Sequence, residues 1–441
     1  MSRFLVTSMP FAGHVGPTAG LAAELIARGH EVVAYTGGKY VSRFAELGAQ
    51  VRPWVQAQDY DDADLAATFP AVGNGKGMRS GRANVELVLL GTAAGQAADI
   101  RATVEEHSAA GRPIDAIAAD QLALGSALAA EALGLPWATV AITALTLTSR
   151  HLPPVGLRLL PVTGPVGRFR DAALRSLIGG VSRKMLAPQV NRVRGEVGLP
   201  QRADASLDDG YSPHLVLAQG VPGLDYPRPD LPAHVHYVGR LAPAARADAQ
   251  LPEWWPELAA ARAQGRPVVH VTQGTLDVDP DDLLRPTIAA LAGGEALVVA
   301  TTGGAPESAL DPLPGNVRVA RFVPHDLLLP LVDVVVTNGG WGGALAAVQA
   351  GVPLVVAGAT LDKPEVGRRV AWSGVGLDLR TGSPAAGRVG RAVAQVLKDP
   401  GFRRRAAELG AALTAAGGAP AAAKLIEQLL TAPPRESPPP T

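Results

Sequence analysis

The sequence predicts an α/β protein built from two doubly wound domains that face each other across a cleft. Its 441 residues are too many for one ordinary core and suit two domains of about 200 residues each. Short apolar strands alternate with amphipathic helices in both halves, and an Ala- and Pro-rich stretch at 241–252 separates the two series. Because this alternation gives parallel sheets, ligands are expected beyond the carboxyl ends of the strands.

The first half begins with the clearest strand–helix–strand unit. A strand is predicted at 4–7, a loop at 9–17, a helix at 18–28 and a second strand at 31–35. A further helix is predicted near 123–133, and the remaining strands at 50–54, 115–119, 137–142, 214–218 and 234–238. Two stretches, 56–84 and 143–185, show no clear period and are expected to be functional loops or disordered.

The second half repeats the alternation after the Ala- and Pro-rich stretch. The predicted strands lie at 268–272, 296–301, 317–320, 332–337 and 354–357. The predicted helices lie at 280–292, 326–331, 343–350, 389–397, 402–416 and 420–430. The Pro-rich tail after residue 431 has no apolar period and is expected to be disordered.

Composition narrows the function classes. The formal net charge is zero, so the overall charge of the chain does not favour binding to nucleic acid or to an anionic membrane. The chain has no cysteine, which excludes disulfides, Cys-ligated zinc and thiol catalysis. The segment 334–361 is uncharged and long enough to span a bilayer, but its Gly, Pro, Asn and Gln residues fit a strand–loop–helix–strand pattern instead. We therefore expect a cytoplasmic protein without a transmembrane segment.

His14 is the first candidate for chemistry, because it follows the first predicted strand between Gly13 and Gly16. An imidazole there can take a proton from an alcohol near neutral pH, and the glycines would let a substrate approach closely. The other interpretation is a local cap of the first helix, and position alone does not decide between the two. Asp120 follows another predicted strand and could hold the imidazole, although Asp is also common at helix N-caps.

A glycine-rich loop in the second half indicates an anion site. It follows a predicted strand, opens a helix, and consists of Asn338, Gly339, Gly340, Trp341, Gly342 and Gly343. Such a loop presents backbone amides and a helix N-terminus to a phosphate. Gln273, Gly274 and Thr275 follow another strand and could add donors, so the two loops together favour a diphosphate.

These segments resemble the nucleotide-sugar glycosyltransferases of the two-domain GT-B architecture, with Rossmann-like domains. The family includes natural-product, macrolide and plant secondary-metabolite glycosyltransferases, and the actinobacterial antibiotic and glycolipid enzymes are the most similar group. The resemblance covers nearly the whole chain and is carried by Gly-His-x-x-Pro around His14, by the donor signature at 322–353, and by the pair Asp362–Lys363.

The resemblance implies a catalytic pair and a donor site. His14 would be the general base and Asp120 the acid that pairs with it. The donor-binding residues would be Gly13, Gln273, Gly274, Thr275, Phe322, Val323, Asn338, Gly339, Gly340, Trp341, Gly342, Gly343, Asp362 and Lys363. Trp341 is interpreted as a core residue whose role at the site is through its backbone.

The implied reaction is a direct displacement with inversion, without a metal and with no cofactor besides a nucleotide-diphosphate sugar as co-substrate. The expected partners are a UDP- or dTDP-sugar and a small, largely apolar acceptor with a hydroxyl, such as a polyketide, another natural product or a lipid; nucleic acid is not expected. The chain would be a monomer or homodimer.

The implied domain layout follows the same resemblance. Residues 1–240 would bind the acceptor, 241–252 would be the linker, and 253–402 would bind the nucleotide sugar. Residues 403–431 would form helices that return to the N-terminal domain, and 432–441 a disordered tail.

Four positions depart from the family pattern. Asn338 stands where a diphosphate-contacting histidine is common, and Ala346 where many plant members have a ribose-binding Glu. Lys363 replaces a Gln, and Phe322 replaces the Trp that stacks on the base in plant members. These departures leave the sugar and the nucleotide of the donor open.

Other interpretations remain for several features. A nucleotide-sugar epimerase shares the architecture, and a non-catalytic partner that binds nucleotide sugar would activate another transferase. The acidic groups Asp61-Asp62-x-Asp64 and Asp279-x-Asp281-Asp282 are interpreted as exposed charge or helix-start acids. The basic run at 150–184 is either a solvated face or a lid over the acceptor pocket that touches an anionic or membrane-held acceptor.

Overall fold

The computed structural model describes residues 1–73, 76–162, 164–242, 250–274 and 279–431. Two parallel sheets dominate the described chain. The first has seven strands in the order β3-β2-β1-β4-β5-β6-β7 and the second has six in the order β10-β9-β8-β11-β12-β13. Every strand pair is parallel, and the order reverses direction at the first strand of each sheet, as in doubly wound folds.

The strands of the first sheet are β1 (Arg3–Thr7), β2 (Glu31–Thr36), β3 (Gln50–Pro53), β4 (Ala116–Asp120), β5 (Trp137–Ala141), β6 (Leu215–Ala218) and β7 (Val235–Tyr237). Those of the second are β8 (Val268–Thr272), β9 (Leu297–Thr301), β10 (Val317–Ala320), β11 (Val334–Thr337), β12 (Leu354–Val356) and β13 (Gly376–Asp378).

Helices cover both faces of each sheet. In the first half they are α1 (Ala12–Ala27), α2 (Val41–Ala45), α3 (Leu65–Thr68), α4 (Gly77–Ala83), α5 (Ala93–Ala109), α6 (Leu124–Leu133) and α7 (Pro165–Glu196). In the second half they are α8 (Pro256–Ala263), α9 (Leu284–Leu291), α10 (His325–Leu328), α11 (Trp341–Gln349), α12 (Lys363–Ser373), α13 (Ala386–Lys398), α14 (Pro400–Ala415) and α15 (Gly418–Thr431).

The first strand shows why the sheets form. Successive side chains of a strand point to opposite faces, so Leu5 packs in one apolar cluster while Phe4 and Val6 pack in the cluster on the other face. All three side chains are fully buried. A strand that is buried on both faces reads as a continuous apolar run rather than an alternating one, which is what parallel sheets require.

The two halves share apolar contacts. Val221 and Leu224 of the first half belong to the same buried cluster as Trp341 and Leu345 of the second. The last helix, α15, packs against α1, and its Ile426 enters the core of the first domain. Helix α15 therefore returns to the first domain, whereas α14 packs against α11 of the second.

The stretch Pro400–Thr431 is long and apolar enough to cross a membrane, judged by length and composition only. It consists of α14 and α15, which are separated at Gly417 and Gly418, two glycines with positive φ. Leu413 of α14 is buried in the core shared with the second domain, and Ile426 of α15 in that of the first. Core helices pass the same test of length and composition.

Several sequence-based expectations were wrong in detail. The first helix begins at Ala12 rather than at 18, so His14 lies in a helical turn and not in a loop; Pro17 is accommodated inside that helix. The stretch 143–185 is not irregular throughout, because the 32-residue helix α7 starts at Pro165. Helices α5, α8 and α12 and strand β13 were missed.

Some expectations concern residues outside the described ranges. Most of the expected linker (243–249), the tail (432–441) and Thr275 fall there. The domain bounds at 240, 252 and 402 stay predictions.

Candidate active site

His14 and Asp120 are brought together by adjacent strands. β1 and β4 pair in parallel, so α1, which follows β1, begins beside the end of β4, where Asp120 is the last residue. His14 Nδ1 lies 2.7 Å from Asp120 Oδ2. The His14 side chain is 12% exposed and that of Asp120 is fully buried. The ring is therefore held at one nitrogen and remains reachable from solvent.

Asp120 is itself fixed by backbone amides. The Met9 amide donates to Oδ2 at 3.0 Å and the Leu122 amide donates to Oδ1 at 3.0 Å. Because a carboxylate that accepts these bonds can also accept the Nδ1 proton of His14, the neutral ring carries its free lone pair on Nε2. Nε2 is the nitrogen that can remove a proton from a substrate.

The charges around His14 set its protonation. Burial lowers the pKa of His14, but the charge and hydrogen bond of Asp120 outweigh it, with smaller help from Asp362 and Asp62, so the pKa is raised above 6.5. Burial in turn raises the pKa of the Asp362 carboxyl, and the charges of His14 and Lys363 oppose that rise. Asp362 belongs to the second domain, so His14 faces that domain closely enough for the two charges to interact.

The glycine loop after β11 belongs to the second domain and forms the wall of the candidate site opposite His14. Gly340 precedes α11 without a side-chain cap, and the first hydrogen bond of the helix runs from the Ala344 amide to the Gly340 carbonyl at 3.0 Å. The amides of residues 341–343 precede the first intrahelical donor, so they have no acceptor within the helix. Such amides, with the positive end of the helix dipole, can bind an anion.

Glycine is required at two positions that pack this loop against the segment before α12. Gly339 has a φ of 93°, and a Cβ there would lie 2.8 Å from Val356 Cγ1. A Cβ on Gly358 would lie 2.0 Å from the Asn338 carbonyl oxygen and 2.7 Å from Lys363 Cβ. This close packing places the predicted sugar-reading pair Asp362–Lys363 beside the glycine loop.

The second loop, after β8, joins the first through Asn338. Its side-chain Nδ2 donates to the Gln273 carbonyl oxygen across the neighbouring strands β8 and β11. The Gln273 side chain is engaged elsewhere, since it donates to the Asp279 carbonyl at 2.7 Å and accepts from the Leu284 amide at 2.9 Å. Gly274, with φ 73°, follows it at the strand end.

The remaining residues that were predicted to bind the sugar donor are either exposed or buried. Phe322 is 74% exposed after β10, whereas the neighbouring Val323 is buried. Trp341 is buried in the shared core, and its indole N–H approaches the Gln219 carbonyl at 3.4 Å. Lys363 is buried and donates to Thr360 Oγ1 at 3.0 Å. Gly13 lies exposed in the first turn of α1, one residue before His14.

Part of the basic run contacts the second domain. The Gly156 amide donates to Glu365 Oε1 at 3.1 Å, and Arg158 donates to the Ala359 carbonyl at 2.9 Å. Arg175 instead donates to the Leu152 carbonyl. The segment before α7 therefore bridges the two domains next to α12.

Two features escaped the sequence analysis. Asp62 is buried, although its acidic group was expected to be exposed charge or helix-start acids. Arg369, also buried, donates to Asp225 Oδ1 at 2.9 Å and to Glu365 Oε2 at 3.1 Å, which links the domains by charge. The sequence offered no signal for Arg369, because arginine is mostly exposed in proteins unless it is paired.

Comparisons with known proteins identify the family. A family model described as the C-terminal domain of proteins like erythromycin biosynthesis protein CIII matches residues 285–430. The 4'-demethylrebeccamycin synthase of Lentzea aerocolonigenes is 40% identical, covering 97% of this chain and all of that protein. UDP-glycosyltransferase 2 of Phaeomoniella chlamydospora is 30% identical, covering 97% of this chain and 96% of that protein.

Solved structures share the fold. The glycotransferase of kitacinnamycin superimposes with a TM-score of 0.74 at 23% identity, covering 97% of this chain and 99% of that one. The glycosyltransferase VinC, in complex with dTDP, gives a TM-score of 0.66 at 21% identity, with the same coverage. Two parallel-sheet domains of this kind define the GT-B class. Within that class, the chain belongs to the natural-product glycosyltransferases, which use nucleotide-sugar donors.

Proposed function

We propose that this protein transfers a sugar from a UDP- or dTDP-sugar to a hydroxyl of a small, largely apolar acceptor, with inversion and with His14 as the general base. The observation that carries this proposal is the 2.7 Å contact between His14 Nδ1 and Asp120 Oδ2. This contact leaves Nε2 as the basic nitrogen of the ring. The charge of Asp362, in the second domain, helps to raise the pKa of that ring.

The reaction is a single displacement. His14 Nε2 removes the hydroxyl proton while the acceptor oxygen attacks the anomeric carbon, and the bond to the diphosphate breaks on the opposite side. Asp120 stabilises the imidazolium that forms. Proton transfer of this kind contributes about 10²–10⁴-fold to a rate.

The nucleotide diphosphate is the leaving group, and its growing negative charge meets the amides at the start of α11. Each donor of this kind is worth about 10²–10³-fold in rate when it is aimed at developing charge. Positive dipole and amide donors neutralise the diphosphate in this scheme, so no step requires a metal ion.

The acceptor binds on the first-domain side of His14. The Phe11 ring lies 5.5 Å from the His14 ring and 5.3 Å from the Tyr60 ring, which gives that side an aromatic, apolar character. The relative named for 4'-demethylrebeccamycin synthesis and a spinosyn rhamnosyltransferase that was solved with spinosyn aglycone support an acceptor of natural-product type.

Donor consumption with and without acceptors tests the proposal. A thermal-shift screen of UDP, dTDP, ADP and GDP first identifies the nucleotide, because a bound ligand raises the melting temperature. The matching donor is then incubated with a library of apolar alcohols that includes the aglycone of 4'-demethylrebeccamycin. We expect donor loss only with an acceptor, and a product of inverted anomeric configuration.

The other functions would give different results. An epimerase would convert the donor without an acceptor, and an activator would consume none. A retained configuration in the product would overturn the direct displacement.

A further inference from the structure

Asp62 is a buried carboxylate outside the pair already described. Its side chain is 3% exposed, although it lies in a loop after β3 that carries three aspartates in four positions. The neighbouring Asp61 side chain is 59% exposed. A buried carboxylate needs several donors to offset its lost hydration, so the contacts of Asp62 indicate what holds it there.

Three donors converge on Asp62. The Ala12 amide donates to Oδ2 at 2.8 Å, the Tyr40 hydroxyl donates to Oδ2 at 2.8 Å, and Lys39 Nζ donates to Oδ1 at 2.6 Å. Tyr40 and Lys39 follow β2, whereas Ala12 is the first residue of α1. One carboxylate therefore ties the end of β2, the loop after β3 and the start of α1 together.

The start of α1 is the turn that carries His14. Ala12 is the first helical residue and His14 the third, and Phe11 before them makes no side-chain cap. Asp62 satisfies an amide that a helix start would otherwise leave without an acceptor. Its negative charge is also favourable beside the positive end of the helix dipole.

We propose that Asp62 is a positioning residue for the base: it fixes the first turn of α1 so that the His14 ring stays directed at the acceptor. The inference rests on the proposed function of His14. It also assigns a role to the loop after β3, whose Tyr60 ring packs on Phe11 beside His14.

The charged groups that face His14 come from three directions. Asp120 ends β4, Asp362 precedes α12 with Lys363 next to it, and Asp62 lies in the loop after β3. The Tyr60 hydroxyl is buried in the same loop. Of these groups, Asp62 is the one whose removal leaves both the direct partner of His14 and the donor domain unchanged.

The test compares Asp62→Asn with the matched control Asp61→Asn, which removes the adjacent charge and its own contact with Lys39 but none with α1. We expect Asp62→Asn to lower kcat about 10-fold or more, as small misplacements of a reacting group do, with KM for the donor unchanged. The acid limb of the kcat–pH profile should move to lower pH, because a carboxylate that raises the pKa of His14 is lost. Asp61→Asn should change neither quantity.

A second variant removes only the hydrogen bond to α1. Ala12→Pro deletes the amide that Asp62 accepts from, at a first helical position where proline is tolerated. Phe11 before it has φ −115° and ψ 136°, a conformation that suits the residue preceding a proline. This variant should fold and lose kcat in the same way, even if Asp62→Asn proves too unstable to assay.

Each outcome separates this inference from the proposed function. If His14→Ala is inactive while Asp62→Asn and Ala12→Pro match Asp61→Asn in kcat and in the acid limb, the positioning role is wrong. A lower melting temperature with an unchanged pH profile and kcat would also overturn it. If His14→Ala retains full turnover, the proposed function fails instead.

Discussion

The two walls of the candidate site, one on each domain, are built from different chemical groups. On the first domain, the candidate base depends on side chains: Asp120 is hydrogen-bonded to the His14 ring, and Asp62 accepts from the Ala12 amide at the start of the same helix. On the second domain, the candidate diphosphate site depends on backbone amides at the start of α11 and on glycines that allow close packing. A side-chain site loses function when one group changes, whereas a backbone site loses it when the chain can no longer adopt the required shape.

The largest effect that this comparison predicts is that of His14→Ala. We expect turnover to fall about 10²–10⁴-fold, because the side-chain wall loses its proton acceptor. Nucleotide binding, measured by thermal shift or calorimetry, should be unchanged, because the donor wall is unchanged. Unaltered turnover in a folded variant would show that His14 is not the base.

Asp120→Asn should also lower the rate, by up to about 10⁴-fold, because the His14 ring loses the carboxylate that fixes its tautomer. It should also cost about 1–3 kcal/mol of unfolding free energy, because the new amide must turn its NH₂ group toward His14, Met9 N–H or Leu122 N–H. Steady-state kinetics and urea unfolding measure the two effects. Equal rates for wild type and variant would contradict the pairing.

Gly339→Ala tests the backbone wall. Its φ of 93° and the 2.8 Å approach to Val356 Cγ1 leave no room for a Cβ, so we expect donor affinity to fall and stability to drop by about 1–3 kcal/mol. Gly340→Ala is the matched control for folding, since a Cβ there meets nothing within 4 Å and its φ is −61°. The control should keep its melting temperature. Equal melting temperatures for both variants would contradict the shape argument.

The pH dependence of turnover and stability should report on the protonation of His14. Since the folded-state pKa of His14 is raised above 6.5, turnover should rise with pH through that raised value as the base loses its proton. The same shift stabilises the fold fully below 6.5 and is lost as pH rises through the folded-state pKa. The melting-temperature difference between wild type and His14→Ala should therefore shrink with rising pH, and a difference that grows would contradict the direction of the shift.

The smallest predicted effect is that of Lys363→Gln, which restores the side chain more usual in the family. Lys363 is buried beside the glycine loop and bonded to Thr360, so replacing one hydrogen-bonding group by another should change kcat/KM by about 2–10-fold. The change should differ among donor sugars with a common nucleotide. A uniform change across sugars would place Lys363 away from the sugar.

The sequence predicted some residues of the site and missed others. His14 and the glycine loop could be found because both follow a predicted strand, where a doubly wound sheet binds its ligands, and because the family resemblance covers them. Asp62 could not, because its acidic neighbours Asp61 and Asp64 are indeed at the surface. Whether one of three similar aspartates is buried depends on what lies opposite, here Lys39, Tyr40 and the start of α1.

The sequence by itself determined the two-domain α/β architecture, because apolar strands with short connections and intervening helices allow few other arrangements. It also determined which residue types were available for base chemistry and for anion binding. Only the tertiary structure decided that His14 contacts Asp120, that the Gln273 side chain accepts from the first amide of α9, and that Asp62 accepts from the first amide of α1. These contacts join residues 106, 11 and 50 positions apart, and local periodicity carries no information about pairs brought together by strand order and loop packing.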